Sequence, residues 1–309
     1  MRTRRAVLFL AFAAAIFCFH DVSPARSEAP AIVRKLNAYV ACINRLSERA
    51  YQSRERYFSW VGKKGPTGKE RIIYGTYTIY ETDDCERGVK EVAELEPRDP
   101  ELEAAGAAYV TAVVALAPLL KEADDYYKQQ DYQDDGMARG RTLHPRLVSA
   151  WGAFADADQK LRKRLDALQE QRSVEQLAEI ERTEGRKQAY HVQTVMLGAK
   201  RLVRIQTVAK PDVPAVAAAL AEYESIVRAA EEYAASDKTS RIGTDLLVSA
   251  KQLLVTSKQL MRRQRDKTPY SKGDQLLLNA GGGAMVEGSP GRLTRDYNEL
   301  IQSFNRMVR

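Results

Sequence analysis

Apolar and polar positions follow one another along nearly the whole chain with the step of an α-helix. Over residues 31–61, Leu36, Tyr39, Ile43, Leu46, Ala50, Tyr57 and Trp60 recur three or four apart, the spacing that lines one face of a 3.6-residue turn. This predicts a helix of roughly 30 residues, about 45 Å long, stopped by the glycines and proline of 62–68. Asp99-Pro100 then supplies a cap followed by proline at the first helical position. Leu102, Ala105, Tyr109, Val113, Leu116, Leu120, Ala123 and Tyr127 form its stripe, with Pro118 placed to kink it. Leu143, Leu147, Trp151, Phe154, Leu161, Leu165 and Leu168 continue the spacing. Ser173 and Gln176 make a capping box, which predicts a new helix or a fresh turn, and the stripe from Leu177 to Ile205 carries it to about residue 207. Further stripes run from Val216 to Tyr233 and from Ile242 to Leu260, and a last helix covers 293–308. The loop before it, at 279–291, contains Gly281-Gly282-Gly283 and reads as a flexible linker.

One stretch breaks the pattern. Residues 71–80, RIIYGTYTIY, are rich in β-branched and aromatic side chains and predict a short hairpin or an extended loop packed on helices. A short helix with Cys85, Val89, Val92 and Leu95 follows, ending before Pro97. The expected fold is therefore all-α: an elongated bundle of about six long helices, with a short irregular or hairpin excursion near residues 62–98. Residues 28–309 are read as a single helical-bundle domain.

The first 27 residues stand apart. Arg2, Arg4 and Arg5 precede an apolar run over 6–19, the make-up of a cleavable secretory signal peptide. Cleavage is expected before Glu28 or before Arg26, and the run is too short for a hydrocarbon core that takes roughly 20 residues. The adjacent arginines also resemble a twin-arginine leader, so the export route stays open. The bulky Phe17 before Cys18 argues against lipid attachment. The expectation is a periplasmic protein with no transmembrane segment in the mature chain.

Removing the leader changes the rest of the picture. It carries +3 of the net +7, and the weak balance left over the mature chain argues against nucleic acid as a partner. It also leaves two of the three cysteines, Cys42 and Cys85. An even count in an oxidising compartment favours a disulfide between them, which would pin the 62–98 excursion to the first helix.

Candidate chemistry concentrates between residues 126 and 154. Asp131, Asp134, Asp135 and His144 are the possible metal ligands. As an EF-hand the loop fails at Thr142, where a bidentate Glu is required, and Arg139 and Arg141 bring positive charge into it. The competing reading has the aspartates capping the helix that starts near Gly136. His144 and His191 lack a second ligand at helical spacing, and no Gly-x-Ser-x-Gly is present. The words GPTGKE at 65–70 fail as a phosphate loop, with Lys63 and Glu70 where Gly and Ser or Thr are needed. Tyr126, Tyr127 and Tyr132, with Arg139 and Arg141, make a candidate polar-aromatic binding surface, or else a core-facing cluster with hydroxyls at the rim. An echo between the ends, Asn37 and Asn44 against Asn298 and Asn305, suggests buried asparagines setting helix register, or simply four solvated ones.

The central run Tyr126-Tyr127, Asp131-Tyr132, Asp134-Asp135, Ala138-Arg139-Gly140, Leu143-His144 and Trp151, with Lys35-Leu36-Asn37 near the start and Tyr297-Asn298-Glu299-Leu300 near the end, resembles the YiiG-like family of bacterial envelope proteins, a domain of unknown function. The resemblance covers about residues 30–306. It implies an exported helical protein and carries no established reaction; some members resemble lipoproteins, from which this leader departs at Phe17-Cys18. The expected function is a non-catalytic periplasmic scaffold or binding protein without a cofactor, its partner an envelope protein, a glycan or a lipid surface. The alternative is a divalent-metal binder or metal-dependent hydrolase using the Asp131–His144 cluster.

Overall fold

The computed structural model describes residues 31–237, 240 and 242–308. The leader read at 1–27 lies outside them. Among the described residues the chain is all-α, with helices α1 (Ala31–Trp60), α2 (Thr82–Ala93), α3 (Pro100–Lys128), α4 (Ala138–Glu184), α5 (Gln188–Gln206), α6 (Val213–Ser236), α7 (Thr244–Asp266), α8 (Lys272–Asn279) and α9 (Pro290–Val308). Seven of these have 19 residues or more, so the count of about six was low. Where the sequence reads as one domain, contacts gather into two compact units, one taking the described residues up to Glu170 and the other those from Gln171 onward.

In the first unit the stripes meet as their spacing predicts. Leu36, Tyr39, Ile43, Leu46, Ala50 and Tyr57 of α1 share one core with Leu102, Tyr109, Val113, Leu116 and Leu120 of α3 and with Leu143, Leu147, Trp151, Phe154, Leu161 and Leu165 of α4. Asp99 caps α3, its carboxylate accepting from the Leu102 N–H at 2.8 Å with Pro100 next, which satisfies an N–H that the helix itself leaves open. Pro118 lies inside α3, which stays helical through it. Of the described helices, α3 is the one long and apolar enough to span a bilayer, with a mean hydropathy of 1.6 over 18 residues. Its buried stripe faces the core shared with α1 and α4. A β-carbon on Gly106 would sit 2.1 Å from Cε1 of Tyr39, so glycine sets how closely α3 and α1 approach.

The 62–98 excursion is irregular and not a hairpin. Among the described residues it holds α2 and an isolated bridge between Gly62 and Gly65. The extended stretch 71–80 finds its hydrogen-bond partners in side chains. Ser53 bonds both the N–H and the carbonyl of Tyr77, Arg56 the carbonyl of Tyr74, Trp60 that of Gly75 and Arg49 that of Thr78. With its inward polar groups satisfied this way, the segment has no need of a partner strand. A disulfide joins Cys42 on α1 to Cys85 on α2, as the cysteine count predicts.

In the second unit α5, α6, α7 and α9 form a four-helix arrangement, each packing against the next. Val195, Leu202, Leu220, Tyr223, Leu246, Leu253, Leu300 and Phe304 are among its buried residues. The capping box at Ser173 does not start a helix. α4 runs through it without interruption for 47 residues, because nothing between 146 and 184 stops a helix and the leucine spacing persists. The stop comes at Gly185, in the left-handed region at φ 77°, where glycine adopts the turn without a Cβ clash. Asn44 and Asn305 are exposed, which removes the reading of buried asparagine pairs.

Candidate functional site

The central stretch is a tight junction between α3 and α4. The last turn of α3 brings Tyr126 and Tyr127 onto its buried face, 1% and 5% exposed. Gln130 and Met137 take positive φ angles of 62° and 69°, a costly region for residues with a Cβ, and Met137 is fully buried there. Asp135 then caps α4. Its carboxylate accepts from the N–H of Ala138 at 3.2 Å and of Arg139 at 2.9 Å, and from the Tyr126 hydroxyl at 2.8 Å. The Arg139 N–H is the chief reason its pKa falls below the ordinary carboxylate value, with slight burial opposing. Burial first, and then the bond to Asp135, push the Tyr126 hydroxyl up to about 12.

Of the residues read as a binding surface, the structure therefore puts Tyr126 and Tyr127 in the core. Tyr132 is half-buried against them, its ring 6.4 Å from that of Tyr126. Arg139 and Arg141 point outward, one paired with Glu122 and the other donating to the Gly136 carbonyl. The period of α3 decides this, since Tyr127 is the next member of the stripe through Leu120 and Ala123. The residues read as metal ligands are dispersed in role. Asp135 is the cap, Asp134 is exposed, and Asp131 is half-buried in a 3₁₀ turn. His144 is buried, with Nδ1 3.1 Å from the Tyr57 hydroxyl and Nε2 3.3 Å from the Lys63 carbonyl. Among the described residues no three His, Cys, Asp or Glu side chains gather where an ion could be held. In the GPTGKE stretch, Glu70 accepts from the N–H groups of Thr67 and Gly68, so the donors that a phosphate would need are already engaged.

The most elaborate polar sites escaped the sequence reading. The Lys35 ammonium is fully buried and donates to the carbonyls of Ala93, Leu95 and Pro97 as well as to Glu103. Asp158, 3% exposed, accepts from Ser47, Tyr51 and Arg162. In the second unit Asp296, 1% exposed, accepts from Thr256, Arg292 and Arg295. Each buried charge has several partners, which is the condition for tolerating it. All three belong to structure.

An outward face also formed that the sequence did not announce. The Arg49 and Arg56 guanidiniums, a heptad apart on α1, lie 4.0 Å and 4.5 Å from the centroid of the Tyr77 ring. Arg56 also donates to the Tyr77 hydroxyl at 3.1 Å. Beside this stack Ile72, Tyr74 and Tyr80 are 50%, 47% and 70% exposed. Cation–π contact and backbone bonds hold both arginines in place. The available clue was the spacing of Arg49 and Arg56 on the polar side of α1, together with Tyr74, Tyr77 and Tyr80 at steps of three.

These features define a disulfide-bonded, all-α protein of two helical units with structural polar cores. The chain belongs to the family described as protein of unknown function (DUF3829), which matches residues 31–306. It is similar to the uncharacterized protein YiiG of Escherichia coli (strain K12), 33% identical over 289 residues, or 92% of this chain and 81% of that protein. No solved structure matches it.

Proposed function

We propose that this protein is an exported, periplasmic, non-catalytic scaffold or binding protein of the bacterial envelope. The observation that carries the reading is the disulfide between Cys42 and Cys85, a bond that forms and persists in oxidising compartments. The basic and apolar composition of residues 1–27 agrees with it. The binding face is the Arg49, Arg56, Tyr74, Tyr77 and Tyr80 strip, where large aromatic side chains stay exposed beside fixed guanidiniums. Exposed Tyr and Arg are the side chains enriched at protein interfaces. The carboxylates and histidine of the central stretch give the metal-dependent alternative no support, because Asp135 and both ring nitrogens of His144 are engaged within the fold.

Expressing the full chain with its leader tests this. Osmotic shock should release a protein that starts at Glu28 or Arg26 and has no free thiols when unfolded without reductant. A full-length cytoplasmic chain with two reactive thiols beyond Cys18 would overturn export. Replacing Tyr74 and Tyr80 by alanine should abolish partner capture in the envelope and leave helicity unchanged; unchanged capture would remove the strip.

A further inference from the structure

Helix α8 differs from the other helices of its unit. None of its residues is buried, and the element its backbone lies against is the 3₁₀ turn Gly283–Met285. Leu276 is 74% exposed, Leu277 39% and Met285 66%. Leu277 and Met285 come together, since a β-carbon built on Gly282 would meet Cε of Met285 at 3.3 Å and Cβ of Leu277 at 3.6 Å, and Leu276 is the next residue along the helix. Water penalises such a patch unless something covers it.

The patch rests on an ordered support. Tyr270 donates to the Gly288 carbonyl and carries the Arg263 guanidinium 4.3 Å from its ring centroid. Gln275 bonds the Tyr270 carbonyl, and the Ser271 hydroxyl caps α8 through the Asp274 N–H. Exposed basic side chains lie close to it along the chain. Arg262, Lys267 and Lys272 are exposed, and Lys272 stands one turn before Leu276 on the same face of α8. Of the acids nearby, Asp266 is paired with Arg265, which leaves Asp274, bonded to the neutral Ser271 hydroxyl, and Glu287 against three cations.

We infer that α8 and the Gly283–Met285 turn dock the protein on an anionic lipid surface, with Leu276, Leu277 and Met285 entering the headgroup boundary and Arg262, Lys267 and Lys272 facing lipid phosphates. Exposed apolar side chains combined with unpaired cations are the composition of an interfacial element. Each half suits a different layer of the leaflet: the leucines meet acyl carbon and the lysines snorkel to charge. The inference names a surface for the envelope reading but stands on the geometry of α8. A chain that stays in the cytoplasm yet binds vesicles would overturn export alone.

The test is sedimentation of the full mature chain with vesicles of phosphatidylglycerol and phosphatidylcholine in equal parts, and with phosphatidylcholine alone. Binding is expected on the first, falling with salt, and little on the second. Leu276→Ser with Leu277→Ser should weaken it about a hundredfold, at roughly tenfold for each leucine. Lys267→Glu with Lys272→Glu should reduce it to the level of neutral vesicles. Because these side chains are exposed, the helical melting curve should stay in place; if the leucine pair lowers it, Met285→Ser takes over as the test. Absence of wild-type binding, equal binding to neutral vesicles, or unchanged binding by the variants overturns the inference. So does a dimer in sedimentation velocity that the leucine variant abolishes without any vesicle binding, which would make a second copy the occupant.

Discussion

Nζ of Lys35 lies 2.7 Å from Oε1 of Glu103, and the same ammonium reaches three carbonyls between Ala93 and Pro97. One side chain of α1 thus ties down the connection between α2 and the start of α3. Lys35→Met keeps most of the side chain's volume but takes the donor from three partly buried carbonyls and a cation from Glu103. The expected loss is on the order of 3 kcal/mol. Urea unfolding measures it, and a variant within a few tenths of a kcal/mol of wild type would show that water replaces the ammonium.

Gly106 and Tyr39 make a second decisive contact. Gly106→Ala should improve helix propensity by roughly 1 kcal/mol and still destabilise the protein, because the new methyl group would lie 2.1 Å from the tyrosine ring. Overpacking of this kind costs about 1–3 kcal/mol. Tyr39→Leu in the same chain should recover part of the loss, and a double-mutant cycle in urea reads the coupling. Additive effects would mean that the helices part without strain.

Replacing Cys42 and Cys85 by serine frees a loop of 43 residues, which the chain-entropy model values at about 4 kcal/mol. The excursion also has the Lys35 cage and the Ser53, Arg56 and Trp60 bonds, so the variant should fold with residues 62–98 as its weakest part. Limited proteolysis should cut first there. First cleavage in the second unit would contradict this.

The helical stripes were legible because period and burial coincide: Leu36 through Tyr57 and Leu102 through Tyr127 face the core as their spacing says. The Asp99-Pro100 start and the cysteine pairing were legible for equally local reasons. Ser173 misled because the S-x-x-E/Q pattern occurs inside helices too, and only the surrounding run distinguishes the cases. The partners of Lys35 lie about 60 residues away in sequence, and no local pattern marks a lysine that will be buried. The central tyrosines drew attention by composition, yet their helical phase already placed Tyr127 inward. The Arg49 and Arg56 strip arises from two segments that meet only after folding. Helix α8 went unread because its eight residues, between the stripe that ends at Leu260 and the loop read at 279–291, are too few to show a helical period.

Alkaline titration tests the aromatic end of the first core. Burial is the main cause that pushes the Tyr57 and Tyr126 hydroxyls from the ordinary 10.0 up to about 12. A raised value means the fold favours the protonated phenol, so this contribution to stability is present in full below pH 10. Above it the unfolded chain sheds these protons while the folded chain keeps them. The stability is therefore lost as pH rises from about 10 toward 12. Phenolate absorbance from these two residues should grow in step with the loss of the near-ultraviolet dichroism of the packed rings. Tyr57→Phe gives up a bond to His144 and lowers stability at neutral pH, but its stability should fall less steeply between pH 10 and 12. Urea unfolding at several pH values separates the two effects, and an unchanged slope would show that Tyr57 ionises within the folded protein.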